Sequence, residues 1–287
     1  MKRIITGLAL ASAAALVTAA PAQAAPKNPV AAVKKQFVAG HGVKFVDRAT
    51  ISSGGVRDIV ARRTGTYEFG KSGVKSSDIT GKFAFKASDF GDEADSEFVK
   101  ALTTPERAIK VGKSTYLSGG LWSTLVPDGS TWLKVPGTTI GGVTDVYGQP
   151  LNITELATLK TLLKGAKPAA GGYAGKITVR DLREVSTSFR AAQWLNKPKA
   201  KTLKSVISWR ITLDARGLPT RLVSTFPGTA LASDAPKGLI LSVDTRFTGW
   251  GSKVSIKAPN TDEVTTNLED GQKIPDSLTL PLGSIAH

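Results

Sequence analysis

Acid–base chemistry in this 287-residue chain would have to come from two histidines, His41 and His287, and 23 carboxylates, because there is no cysteine. A serine or threonine nucleophile needs a base held against its hydroxyl. His41 stands in Gly40-His41-Gly42, a flexible link between two elements, and no G-x-S-x-G elbow presents a serine. Ser72-Gly73-Val74-Lys75 has the S-x-x-K spacing of a Ser–Lys pair, but it falls in a glycine-flanked turn and not at a helix start. Glycoside hydrolysis needs two carboxylates across a cleft, and nothing in the sequence marks such a pair. The phosphate loop G-x-x-x-x-G-K-[ST] and a G-x-G-x-x-G opening a helix are both absent. No residue is therefore assigned a catalytic role, and the chain is expected not to be an enzyme.

Metal chemistry is equally poorly supplied. Without cysteine there can be no disulfide scaffold, thiolate zinc site or iron–sulfur cluster, and two histidines cannot build a multi-His site. Asp92, Glu93, Asp95 and Glu97 lack the alternate oxygen ligands and central glycine of a calcium loop. They read as a negative bias at a helix start. No metal and no cofactor is expected.

Residues 1–24 have the form of a secretory leader. Lys2 and Arg3 give the positive end, Ile4 to Thr18 the apolar stretch, and Ala22-Gln23-Ala24 the cleavage site, so cleavage is expected after Ala24. No later apolar run is long enough to span a bilayer, and no cysteine stands at the cleavage site to take a lipid. The expectation is a secreted, extracytoplasmic protein that is not lipid-anchored, with residues 25–287 as one domain. The net charge of +15 is scattered, and its densest stretch is Lys197, Lys199, Lys201 and Lys204. Scattered charge serves as a solvated surface or draws the chain to an anionic membrane surface or wall polymer. The absence of basic–aromatic interleaving argues against nucleic acid.

The elements that would carry any site are mainly strands. A short helix is predicted over Pro29–Ala39, then strands over Lys44–Ile51, Ile59–Phe69 and Thr80–Lys86. Phe98, Val99 and Leu102 mark a short helix before Pro105. Ala108–Val111 and Ser114–Leu117 flank Gly112-Lys113, a hairpin loop that wants positive φ at the glycine. A strand over Thr131–Val135 follows. Asn152 as N-cap with Glu155 three residues on predicts a helix over Ile153–Lys164. A Gly/Pro/Ala-rich link, Lys167–Gly172, leads to strands over Tyr173–Leu182, from Leu203 through Leu213, Arg221–Phe226, Leu239–Thr248 and Val254–Lys257, with a short helix near Phe189–Leu195. About ten strands and three or four helices without a βαβ rhythm make an α+β fold on an antiparallel sheet.

Apolar and aromatic residues alternate along these strands: Phe83 and Phe85, Trp132, Trp209 and Ile211, Val243 and Phe247, with Leu159 on the Leu-rich helix. They serve either as a packed core or as the wall of an apolar cavity beneath a strongly curved sheet.

The order of elements resembles the LolA-like half-barrel family, in particular its actinobacterial LppX/LprG-type exported lipoproteins. The likeness rests on Ala108–Leu117, on Trp132-Leu133-Lys134-Val135 and on the helix after Asn152. It continues through Trp209-Arg210-Ile211-Thr212-Leu213-Asp214-Ala215-Arg216-Gly217-Leu218-Pro219 and closes on Phe247-Thr248-Gly249-Trp250-Gly251 through Ala258-Pro259. The resemblance implies a half-barrel with short helices over its concave face and a cavity that holds a lipid or acyl chain, without catalysis. The lipobox cysteine of those relatives is missing here. The expected function is an exported carrier or sensor, a monomer. The alternative is a basic surface module that binds anionic wall polymer or a partner protein.

Overall fold

Period-two alternation carries most of the chain into one sheet. The computed structural model describes residues 28–137, 141–193, 199–230 and 235–274; the expected leader and Trp194 lie outside these. The strands are β1 (His41–Ser53), β2 (Val56–Gly70), β3 (Gly73–Phe83), β4 (Glu106–Val111), β5 (Ser114–Gly119) and β6 (Trp132–Pro136). Then come β7 (Lys167–Ala169), β8 (Gly172–Thr178), β9 (Val206–Leu213), β10 (Pro219–Pro227), β11 (Ile240–Lys253) and β12 (Val264–Thr265). Their order is β12-β6-β5-β4-β3-β2-β1-β11-β10-β9-β8-β7, antiparallel throughout except for the short parallel pair β12–β6.

The fold is α+β, with one large, curved, unclosed sheet and few helices. The two halves of the chain join where β1 pairs with β11, Phe45 opposite Phe247. Right-handed strand twist starts the curvature. Register shifts at Gly42/Lys44, Ala49/Thr50 and Glu68/Phe69 add to it, because each extra residue bends its strand.

Along β1, Phe45, Asp47, Ala49 and Ile51 are buried while Lys44, Val46 and Arg48 are exposed. The inner face is covered by short helices: α1 (Pro29–Lys34), α3 (Leu156–Lys164), α4 (Val179–Val185) and α5 (Thr187–Ala192), with α2 (Glu97–Thr103) toward the β4–β6 side. None of the helices among the described residues is long and apolar enough to cross a membrane. Burying side chains such as Leu159, Leu162, Leu182 and Phe226 contributes roughly 1.5–3 kcal/mol each. Phe37, Phe69, Trp250 and Phe247 form a chain of ring contacts 5.2 to 6.1 Å apart beneath α1. The Trp250 indole N–H donates to the Pro219 carbonyl at 2.7 Å.

Several expected boundaries move. Helix α1 stops at Lys34. Lys167–Gly172 is itself the start of a hairpin, β7–β8, and the expected strand through Leu182 turns helical at Val179, where Thr178 caps α4. The first expected closing strand runs on as β11 through Lys253, and the second, Val254–Lys257, lies beyond it and is not a strand. Helix α3 starts at Leu156 and not at Ile153. The Asn152 side chain spends its oxygen on Thr154 N and Oγ1, closing a turn before the helix.

Candidate functional site

A line of buried polar groups crosses the inner face of the sheet. It begins at Glu106 on β4, whose carboxylate accepts four hydrogen bonds: from Trp122 Nε1, Val143 N, Thr144 N and Thr144 Oγ1, at 2.6 to 2.9 Å. Burial pushes this carboxyl above the usual carboxylate range, and the Thr144 and Val143 donors pull against that. Three of these bonds, from Val143 N and from Thr144 N and Oγ1, seat the 310 turn Val143–Tyr147 on the sheet. It sits close enough that a Cβ on Gly81 would lie 1.9 Å from Thr144 Oγ1.

The same turn delivers Asp145 to Arg63 on β2, at 2.8 Å, and Arg63 also meets Asp47 on β1, at 3.3 Å. The arginine is 7% exposed and the two carboxylates 12% and 3%. Its guanidinium lies 5.9 Å over the Phe45 ring. Burial opposes the Arg63 charge, but Asp145 and Asp47 outweigh it and hold its pKa above the ordinary value. For Asp47 burial wins: its carboxyl is raised despite Arg63 and a hydrogen bond with Thr245. Asp47 Oδ1, Arg63 Nε and Ser76 Oγ are buried without a hydrogen-bond partner. Buried polar atoms in that condition call for a water or a ligand group.

Asp47, Arg63 and Asp145 line a cavity of about 450 Å³, within the roughly 300–1,000 Å³ common for small-molecule sites. Phe45, Tyr67, Ile79 and Phe247 of the sheet form one wall, with Asp47, Arg63 and Thr245 among them. The opposite wall is the segment Gln149–Leu156 together with α5, which contributes Phe189, Ala191 and Ala192. Gln149 ties that segment to the sheet, its Nε2 donating to Thr245 Oγ1 at 3.0 Å. Glu155 stands at the N-terminal boundary of α3 without capping it and accepts from Ser186 Oγ at 2.6 Å and Ser188 N at 2.8 Å, fixing α3 against the α4–α5 junction. At one end the cavity reaches the β2–β3 and β4–β5 turns, with Ser72, Gly112 and the exposed Lys75. The wall is amphipathic: aromatic and aliphatic surface interrupted by one buried ion triad. It can hold an apolar chain and hydrogen-bond a polar group on the same molecule. Among the described residues no group of three or more His, Asp and Glu side chains is placed to hold a metal ion.

Of the eight apolar residues singled out in the sequence, seven on expected strands and Leu159 on a helix, Phe247 lines this cavity and the other seven are absent from its wall. Phe83 and Phe85 stack at 5.2 Å, and Phe83 meets the edge of Tyr147. Trp132 carries the Arg107 guanidinium on its ring at 5.7 Å. Leu159, Ile211 and Val243 are fully buried, and Trp209 is nearly so. Trp122 and Trp250 are core residues, away from the cavity wall. Asp47 and Arg63 were legible by one signal: each is a charge at an inward position of an alternating strand, between Phe45 and Ala49 and between Ala61 and Gly65. Asp145 and Gln149 lie in irregular segments where no periodicity points inward.

No protein-family model matches the chain, and no curated protein matches it. Among solved structures, a LolA superfamily protein from Nitrosomonas europaea is similar at 9% identity and TM-score 0.32, over 80% of this chain and 93% of the other. A DUF1329 family protein from Desulfovibrio piger is similar at 12% identity and TM-score 0.32, over 77% and 93%. A hypothetical protein from Chlamydia trachomatis is similar at 12% identity and TM-score 0.29, over 80% and 98%. At these scores the likenesses carry no argument about ligand or function.

Proposed function

We propose that this chain is an exported, non-catalytic carrier or sensor that holds one amphiphile, a lipid or similar molecule, in the cavity of its half-barrel. The observation that carries the reading is the cavity of about 450 Å³ that sets aromatic rings beside the Asp47–Arg63–Asp145 triad. The ligand's chain lies against Phe45, Ile79, Phe189 and Phe247. Its polar group satisfies Arg63 Nε and Asp47 Oδ1, which lie opposite each other on β2 and β1, so a plain hydrocarbon fits poorly, because it would strand those groups. A hydroxyl or amide, which both donates and accepts, answers them best. The sequence likeness to LppX/LprG-type proteins and the leader-like residues 1–24 support the exported-carrier part of the reading.

The test is native mass spectrometry of the secreted protein with organic extraction, alongside titration with a dansyl-labelled fatty acid. A bound lipid, or saturable dansyl binding that is lost in Ala192→Trp and barely changes with salt, is the expected result. An apo mass together with no saturable binding would overturn the reading.

A further inference from the structure

The outer face of the same strands carries a different pattern. Cross-strand pairing places Lys82, Arg62, Arg48, Asp244, Val223 and Arg210 in one row across β3, β2, β1, β11, β10 and β9. The next row across the same strands is Thr80, Thr64, Val46, Arg246, Arg221 and Thr212. These twelve positions hold six cations and one carboxylate. Arg48 stands directly opposite Arg62, Arg62 opposite Lys82, and Arg221 opposite Arg246. Like charges in register across a sheet are destabilising.

The protein itself does little to relieve them. Arg48, Arg62, Lys82 and Arg246 are exposed and form no ion pair with a carboxylate among the described residues. The one carboxylate, Asp244, is already taken by Arg221 in a bidentate pair at 2.7 and 2.8 Å. That hydrogen-bonded pair, with Arg246 and Arg48 nearby, holds Asp244 below the usual carboxylate range. The face therefore presents a band of positive charge about 24 Å wide at the usual strand spacing of ~4.8 Å.

We propose that this band is a binding track for a linear phosphate-backbone polymer without bases. A polymer can follow the outside of a curved sheet, which a flat bilayer touches only along its crest. The track offers no exposed aromatic ring, so it has nothing on which bases could stack, and its exposed apolar surface is limited to isolated aliphatic positions such as Val46. Its neutral positions are mostly threonines, whose hydroxyls donate to phosphate oxygens. The track lies on the opposite face from the cavity and does not depend on it.

The probe is fluorescently end-labelled sodium polyphosphate, titrated against the full secreted chain at several salt concentrations. The wild-type protein binds with an affinity that falls linearly on a log–log salt plot. Arg48→Gln/Arg62→Gln weakens binding by about tenfold or more at low salt and lowers the slope by about 1.4, at ~0.7 for each lost contact. Lys160→Gln/Lys164→Gln removes the same charge from exposed positions on α3 and leaves the slope unchanged. Unaltered circular dichroism and melting verify that both variants fold. Equal losses in the two double variants would overturn the proposal, since the attraction would then be diffuse. Tighter binding to single-stranded DNA, or to phosphatidylglycerol vesicles without polyphosphate binding, would overturn it in favour of base reading or membrane contact.

Discussion

Arg63 and Asp145 meet at 2.8 Å inside the half-barrel, and this contact fastens an irregular turn to the middle of β2. It is one arm of a buried triad, so removing the shared cation leaves two carboxylates without a counter-charge. Arg63→Met is expected to cost about 3–5 kcal/mol, the usual loss when one partner of a buried ion pair is removed. The exposed pair Arg221–Asp244 sets the contrast, and Arg221→Met is expected to cost about 1 kcal/mol or less. Urea denaturation of both variants measures the difference; equal midpoints would refute the importance of the triad.

Gly148 is where the turn passes the guanidinium. A Cβ at this position would sit 1.3 Å from Arg63 Nη1. A free arginine tip would swing aside at little cost, but this one is held by Asp47 and Asp145. Gly148→Ala is therefore expected to destabilise by about 1–3 kcal/mol, as overpacking does. In an Arg63→Met background the same substitution should cost clearly less. A double-mutant cycle showing simple additivity would sink the explanation.

The raised Asp47 carboxyl has a signed consequence for pH. Its folded pKa lies above the unfolded value near 3.9. Between the two, the native state binds a proton that the unfolded chain has released, so this group's contribution to stability falls as pH rises through that window. Asp47→Asn lacks the titration. Its stability deficit relative to wild type should therefore be larger at pH 4 than at pH 7. A deficit that grows on raising the pH would mean that Asp47 is depressed and not raised.

The cavity can be narrowed without touching the triad. Ala192→Trp places an indole on the α5 wall and should abolish dansyl fatty-acid binding with little loss of stability. Phe247→Ala removes a ring that packs on Trp250 at 5.9 Å. It should cost about 3–5 kcal/mol and weaken binding together with stability. If the tryptophan variant binds like wild type, the ligand does not lie along α5.

The sheet was legible because its rule is local. Alternation along β1, β2 and β9 shows in four or five consecutive residues, and Gly54-Gly55, Gly112-Lys113 and Asp214–Pro219 punctuate it. Element ends were less legible where side chains had a competing use. Asn152 and Glu155 look like a capping box, yet Asn152 closes a turn with Thr154 while Glu155 reaches across to Ser186 and Ser188. The cavity was the least legible feature. The most aromatic strand positions pack against each other, and what opens the space is the path of Val143–Leu156, set by long-range bonds to Glu106 and Thr245.

An open sheet of twelve strands would ordinarily have two sticky borders, each able to recruit a further strand from another molecule. Here the last strands are β7, with three residues including Pro168, and β12, with two. A proline has no N–H to offer, and two or three residues give a newcomer too few bonds to hold. Among the described residues, the two borders of the unclosed sheet thus offer little for a further strand to pair with. The interior of the half-barrel stays reachable from outside, which a sealed barrel of the same strands would not allow.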